Sequence, residues 1–69
     1  MFNFYMVSDT IWEDENNNIE VHPTIVAFVS LSEYVDFEDY TPASLGSSED
    51  IGKIYIGGEL YANPSEVPQ

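Results

Sequence analysis

Phe2, Phe4 and Met6 alternate with Asn3, Tyr5 and Val7 at the start of the chain. A period of two with this many aromatics reads as a strand, expected to continue as far as Trp12. The next six residues, Glu13-Asp14-Glu15-Asn16-Asn17-Asn18, hold no apolar side chain and three asparagines, which tolerate turn geometry. They are read as an acidic hairpin tip. A second strand opens at Ile19-Glu20-Val21-His22. Pro23 lacks the N–H that a ladder needs, so a bulge or an edge position is expected there. The β-branched, apolar run from Thr24 to Leu31 then reads as a central strand.

The pattern changes at Ser30-Leu31-Ser32-Glu33. Ser32 is suited to an N-cap, with Glu33 near the positive end of a helix dipole. Tyr34, Phe37 and Tyr40 recur at spacing three, while Glu33, Asp36 and Asp39 share another face. A two-turn helix fits this spacing, and so does an irregular acidic loop, because Asp, Val and Tyr are indifferent helix formers. Thr41-Pro42 ends the segment. Ala43 to Asp50 reads as a surface loop and Ile51 to Ile56 as a third strand. Gly57-Gly58 is a hairpin dipeptide, returning as a short fourth strand over Glu59 to Ala62.

The fold class expected is mainly β, with α+β as the alternative: a small antiparallel sheet of about four strands with one short helix or an acidic loop. The chain of 69 residues is read as one domain over residues 1–63 and a proline-containing tail over 64–69. So small a sheet with one apolar face needs a cover, which the helix or a second copy of the chain would supply. Homodimerisation is therefore an open alternative.

Charge alters this picture most. Thirteen carboxylates face a single lysine, Lys53, and no arginine, for a formal net charge of −12. Such self-repulsion opposes compaction, and one cation cannot relieve it. A halophilic proteome or simple drift would account for the acidity without a role. The sharper reading is that the field attracts a partner's basic surface and weakens as salt rises. Direct binding to nucleic acid or to an anionic membrane is disfavoured by like-charge repulsion. The N-terminus shows neither a positive start nor an apolar stretch ending in small residues, and no run approaches a membrane span. A cytoplasmic location is expected, in the host cell if the gene belongs to a phage.

Catalytic equipment is sparse. The chain has no cysteine and one histidine, His22, and it lacks Gly-x-Ser-x-Gly, P-loop and dinucleotide patterns. Asp14 to Glu20 offers oxygen ligands, but a calcium loop would carry glycine at its sixth position and glutamate at its twelfth, where Ile19 and Ile25 stand. No catalytic residue, metal site or cofactor is assigned. The chain is read as a binding protein, not an enzyme.

The carboxylates gather in three groups. Glu13, Asp14, Glu15 and Glu20 lie at the first hairpin; Glu33, Asp36, Glu38 and Asp39 precede Pro42; Glu49 and Asp50 form a third pair. Neighbours on a helix face are about 5–6 Å apart and alternate strand residues about 6.6 Å, similar to successive phosphates. Twelve net charges correspond to about 20 Å of duplex, at one charge per roughly 1.7 Å. Trp12, Tyr34 and Phe37 stand beside these acids, as aromatic anchors for arginine or as part of the core. The expected partner-binding set is thus Trp12, Glu13, Asp14, Glu15, Glu33, Tyr34, Asp36, Phe37, Glu38, Asp39, Glu49 and Asp50.

The run Ser30-Leu31-Ser32-Glu33 followed by Asp36-Phe37-Glu38 is similar to a short stretch in one type of phage uracil-DNA glycosylase inhibitor. It covers residues 30–38 only, and no residue role is carried over from it. Size, charge and sparse chemistry also resemble the small acidic phage proteins that imitate nucleic acid. The resemblance implies an inhibitor that fills the basic groove of a nucleic-acid-processing enzyme or complex, with anti-CRISPR, anti-restriction and repair inhibition as the candidate roles. The partner expected is a basic nucleic-acid-binding protein or complex. The alternative is a small β interaction module that dimerises or binds through an aromatic edge, where charge is secondary.

Overall fold

The computed structural model describes residues 1–36 and 38–68. It is a five-stranded antiparallel sheet with two single turns of 3₁₀ helix. The strands are β1 (Phe2–Glu13), β2 (Ile19–Leu31), β3 (Tyr40–Pro42), β4 (Ile54–Ile56) and β5 (Glu59–Tyr61), in the order β3-β1-β2-β4-β5. The β1/β2 hairpin sets the long axis of a body measuring 44 × 19 × 18 Å. Twelve residues at about 3.3 Å each span nearly that length.

Both turn expectations are met. Asp14 N–H bonds to the Asn18 carbonyl and Asn17 N–H to the Asp14 carbonyl, each at 3.0 Å, with Asn17 left-handed at φ 63°. Gly57 and Gly58 both take positive φ, 58° and 86°, the geometry that lets a two-residue turn follow the sheet's twist.

Two open alternatives are decided, at Pro23 in favour of an edge position and over residues 32–40 in favour of a loop, and the strand bounds shift in detail. The bulge falls between Met6↔Ala27 and Val7↔Ile25, leaving Val26 as the extra residue, while Pro23 stays in register opposite Asp9. Ile25 turns both its N–H and its carbonyl toward the β4 side, bonding Lys53 O and Gly52 N. Alternation therefore places the missing N–H of Pro23 on the same side, where β2 has no neighbour before Thr24. No helix forms over residues 32–40 among the described residues, so the acidic-loop alternative holds there. A helix would stack Glu33, Asp36 and Asp39 at spacing three, which like charge disfavours. Tyr40, expected to close that segment, instead begins β3 opposite Met6. The third strand is only Ile54–Ile56, because Ile51–Lys53 completes the turn after the first 3₁₀ segment, Ser48–Asp50.

Residues 64–68, read as tail, hold the second 3₁₀ turn, Pro64–Glu66. Its Pro64 is buried and Asn63 caps it, accepting from Ser65 N–H at 3.1 Å.

The two sheet faces follow from the register, since cross-strand partners share a face. One carries Phe2/Leu31, Phe4/Val29, Met6/Ala27, Ser8/Thr24, Thr10/His22 and Trp12/Glu20. The other carries Asn3/Ser30, Tyr5/Phe28, Val7/Ile25, Asp9/Pro23, Ile11/Val21 and Glu13/Ile19. Phe4, Tyr5, Ile25 and Ile54 form the buried core, drawn from both faces. Full burial of each aliphatic or aromatic side chain contributes about 1.5–3 kcal/mol, so this core is small and sits at the proximal half of the hairpin.

Candidate functional site

The first acidic group sits at the tip of the long hairpin. Glu13 and Glu15 are exposed, and Asp14 organises the turn. Its Oδ1 accepts the backbone N–H of Asn18 at 2.9 Å and of Asn16 at 2.8 Å, and its Oδ2 accepts Asn18 Nδ2 at 3.2 Å. The Asn18 and Asn16 amides, which favour the charged form, hold the Asp14 carboxyl below its ordinary value. Asp14 is thus both a surface charge and the acceptor that shapes its own loop.

The second group lies on the loop between β2 and β3. Glu33, Asp36, Glu38 and Asp39 are all exposed. Tyr34 tethers this loop, edge-on to Phe2 at 5.7 Å and tilted over Phe4 at 5.5 Å, while about half its surface stays open. Phe37, expected beside these acids, lies outside the described residues. The loop leaves β2 at the Leu31 end and rejoins β1 at Met6, so its carboxylates flank the proximal half while the first group marks the far end.

The third pair divides. Glu49 is exposed, whereas Asp50 is buried at 8% relative exposure. The Tyr5 hydroxyl donates to Asp50 Oδ2, Lys53 Nζ donates to Oδ1 at 3.2 Å, and Ser47 N–H reaches Oδ2 at 3.2 Å. The Tyr5 hydroxyl, then Lys53, holds the Asp50 carboxyl below its ordinary value. Burial, reinforced by the Asp50 carboxylate, pushes Tyr5 up to about 12. Asp50 therefore spends its lone pairs inside the fold, together with the lone lysine.

Trp12 is half-buried, and its indole Nε1–H donates to Thr24 Oγ1 at 2.9 Å. The Thr24 hydroxyl donates in turn to the His22 carbonyl at 3.0 Å, and His22 Nε2 lies 3.0 Å from Glu20 Oε1. Trp12 is therefore fastened along its own sheet face as a structural ring with one exposed side. The His22 ring is engaged with Glu20, and the Thr24 hydroxyl beside it bonds the His22 carbonyl and not the ring. No cluster of three or more His, Asp or Glu residues able to hold a metal occurs among the described residues. No helix of the described residues is long and apolar enough to cross a membrane.

Two surfaces went unnoticed in the sequence. An open groove of about 470 Å³ runs between residues 43–46 and the β4/β5 hairpin, lined by Tyr5, Tyr55, Leu45, Leu60 and Glu59. The other is the distal part of the Tyr5 face. There Ile11, Ile19 and Val21 are 71, 63 and 59% exposed, and acidic Asp9 and Glu13 share the face. The signal for it was present as apolar residues at 11, 19 and 21, but only the register puts them side by side.

No protein-family model, curated protein or solved structure matches the chain.

Proposed function

We propose that this chain is an acidic inhibitor protein, of the phage or mobile-element kind, whose carboxylates take the place of phosphates in the basic groove of a nucleic-acid-processing enzyme or complex. One observation carries the reading: the body is elongated, with exposed carboxylates at the far tip and on the loop beside the proximal half. Twelve net negative charges over a 44 Å axis amount to about one per 3.7 Å. A single nucleic-acid strand carries one per roughly 3.4 Å. Elongation thus favours imitation of a single strand over the compact stretch of duplex that charge count alone suggested.

The supply of counter-charge supports the same reading. Lys53 is hydrogen-bonded to Asp50, so the exposed acids at the tip, on the 33–39 loop and at Glu49 have no lysine or arginine of their own to pair with. Neutralisation by a partner's arginines and lysines would relieve repulsion that folding leaves in place. The partner is then a groove built to track a phosphate backbone, acting on the chain in the cytoplasm.

The test uses purified representatives of three grooves, an RNA-guided nuclease, a restriction enzyme and a repair glycosylase, each preloaded with labelled DNA. The chain is expected to displace DNA from at least one of them, less well as salt rises. Replacing Glu33, Asp36, Glu38 and Asp39 together by lysine should weaken that displacement at least a hundredfold. Displacement that survives the fourfold reversal would refute the reading, as would failure against all three grooves.

A further inference from the structure

Beyond Val7 and Ile25 the Tyr5 face loses its cover. Up to that level the segment from Asp50 to Lys53 crosses beside β2, with Gly52 N–H bonded to Ile25 O at 2.8 Å and Ile25 fully buried. Further out, among the described residues, no strand pairs with β1 past Met6 or with β2 before Thr24. The distal hairpin is a two-stranded ribbon. On its Tyr5 face, Ile11 stands directly opposite Val21, and Ile19 follows two residues along β2. Isolated exposed apolar residues such as Leu45 are ordinary on a surface. Three β-branched side chains in register on one uncovered face are a continuous patch, and such patches mark contact sites.

We propose that this patch docks a basic amphipathic helix of the partner protein. Ile11, Ile19 and Val21 receive its apolar stripe, and Asp9 and Glu13, which share the face, receive the lysines or arginines that flank it. The inference rests on the acidic-inhibitor reading and adds the place and the shape of the contact.

Charge selects the occupant. A second copy brings Asp9 and Glu13 of its own and no free lysine, so stacking two ribbons would concentrate like charge around a small apolar centre. A basic helix meets the acidic rim with opposite charge, and its lysine stems can lie along the aliphatic patch while their heads reach the carboxylates. Shape agrees. Two strands about 4.8 Å apart, with their side chains, form a bed close to the 10 Å width of a helix. The levels from Glu13/Ile19 to Asp9/Pro23 span about 13 Å, or between two and three helical turns. An added strand would use the ribbon's edges and leave this face as open as before.

The probe is an 18-residue helical peptide of leucine and lysine with the leucines on one face, compared with a peptide of equal charge carrying glutamine for leucine. At about 0.15 M salt the leucine peptide is expected to bind at least tenfold more tightly. The pair Ile11→Thr and Val21→Thr, which keeps strand-forming residues, should erase that advantage and leave glutamine-peptide binding unchanged. Backbone amide shifts on binding should centre on Ile11, Ile19 and Val21. Unchanged far-ultraviolet dichroism and Trp12 fluorescence would verify that the variant is folded; if it is not, the shift map on the native chain decides. Equal affinity for both peptides would overturn the docking face and leave the acidic reading standing. Shifts centred on the groove by Tyr55 and Leu60, or a dimer in sedimentation that Val21→Thr dissolves, would overturn it as well. Absence of salt-sensitive binding to either peptide would sink both proposals.

Discussion

The hydroxyl of Tyr5 donates to the carboxylate of Asp50, forty-five residues away, across the segment that covers the middle of the sheet. Lys53 completes the arrangement from the other carboxylate oxygen. One strand, one 3₁₀ turn and the chain's lone cation are thereby joined at a single buried acid. Removing that acid leaves a buried hydroxyl, a backbone N–H and an ammonium short of a partner.

Asp50→Ala is therefore expected to destabilise the fold by about 2–3 kcal/mol, and Tyr5→Phe by about 1–1.5 kcal/mol. The two should not add, since each change removes the same bond, and a coupling of about 1 kcal/mol is expected. Urea unfolding followed by Trp12 fluorescence measures all three variants. Glu49→Gln, one residue away but exposed, should stay within about 0.5 kcal/mol of the native chain.

The same contact sets the response to pH at both ends. Tyr5 is neutral in both folded and unfolded chains below the ordinary tyrosine value of 10. Between 10 and about 12 the unfolded chain releases this proton while the folded one keeps it, so stability falls as pH rises. Asp50 acts at the other end: its lowered value contributes stability that is present above the ordinary carboxyl range and is lost as pH falls through the folded value. Tyr5→Phe should remove a component of at most one proton from the alkaline limb. Urea midpoints taken from pH 8 to 12 test this, and an alkaline limb identical in the variant would count against it.

Gly46 marks a close approach. A Cβ there would sit 2.9 Å from the Ala43 carbonyl and 2.9 Å from Cζ of the Tyr5 ring. Neither neighbour yields easily, one being backbone and the other a core ring hydrogen-bonded to Asp50. Gly46→Ala should cost about 1–3 kcal/mol through overpacking. In the thermal melt this variant should therefore unfold well before Gly52→Ala, where a Cβ meets nothing within 4 Å and only the positive φ resists it.

Salt should stabilise the free chain. Thirteen acids repel one another and the Lys53–Asp50 pair is partly buried, so screening removes repulsion and sacrifices little attraction. Moving from about 0.01 to 0.5 M sodium chloride is expected to add about 1 kcal/mol, roughly 4–8 °C in Tm for a domain of this size. Calorimetry at the two salt levels measures it. Partner binding should move the opposite way over the same range, which separates a field used for folding from one used for recognition.

Local chemistry made much of this protein legible from the chain. Alternation announced β1, the asparagine run and Gly57-Gly58 announced both turns, and the run from Thr24 to Leu31 announced the central strand. The acidity and the absence of cysteine were plain from the residues themselves. Such features depend on neighbours two to four positions apart. Tertiary structure decided the rest. Residues 25–29 are apolar at every position, so their pattern is equally consistent with several registers, and only pairing with β1 places the bulge at Val26. Asp50 looks like any other acid until the fold brings Tyr5 to it. Ile11 and Val21 read as two ordinary strand residues until the hairpin closes, sets them opposite one another and leaves both exposed. A burial partner forty-five residues away, or a face without one, is a property of packing, and no short-range pattern encodes it.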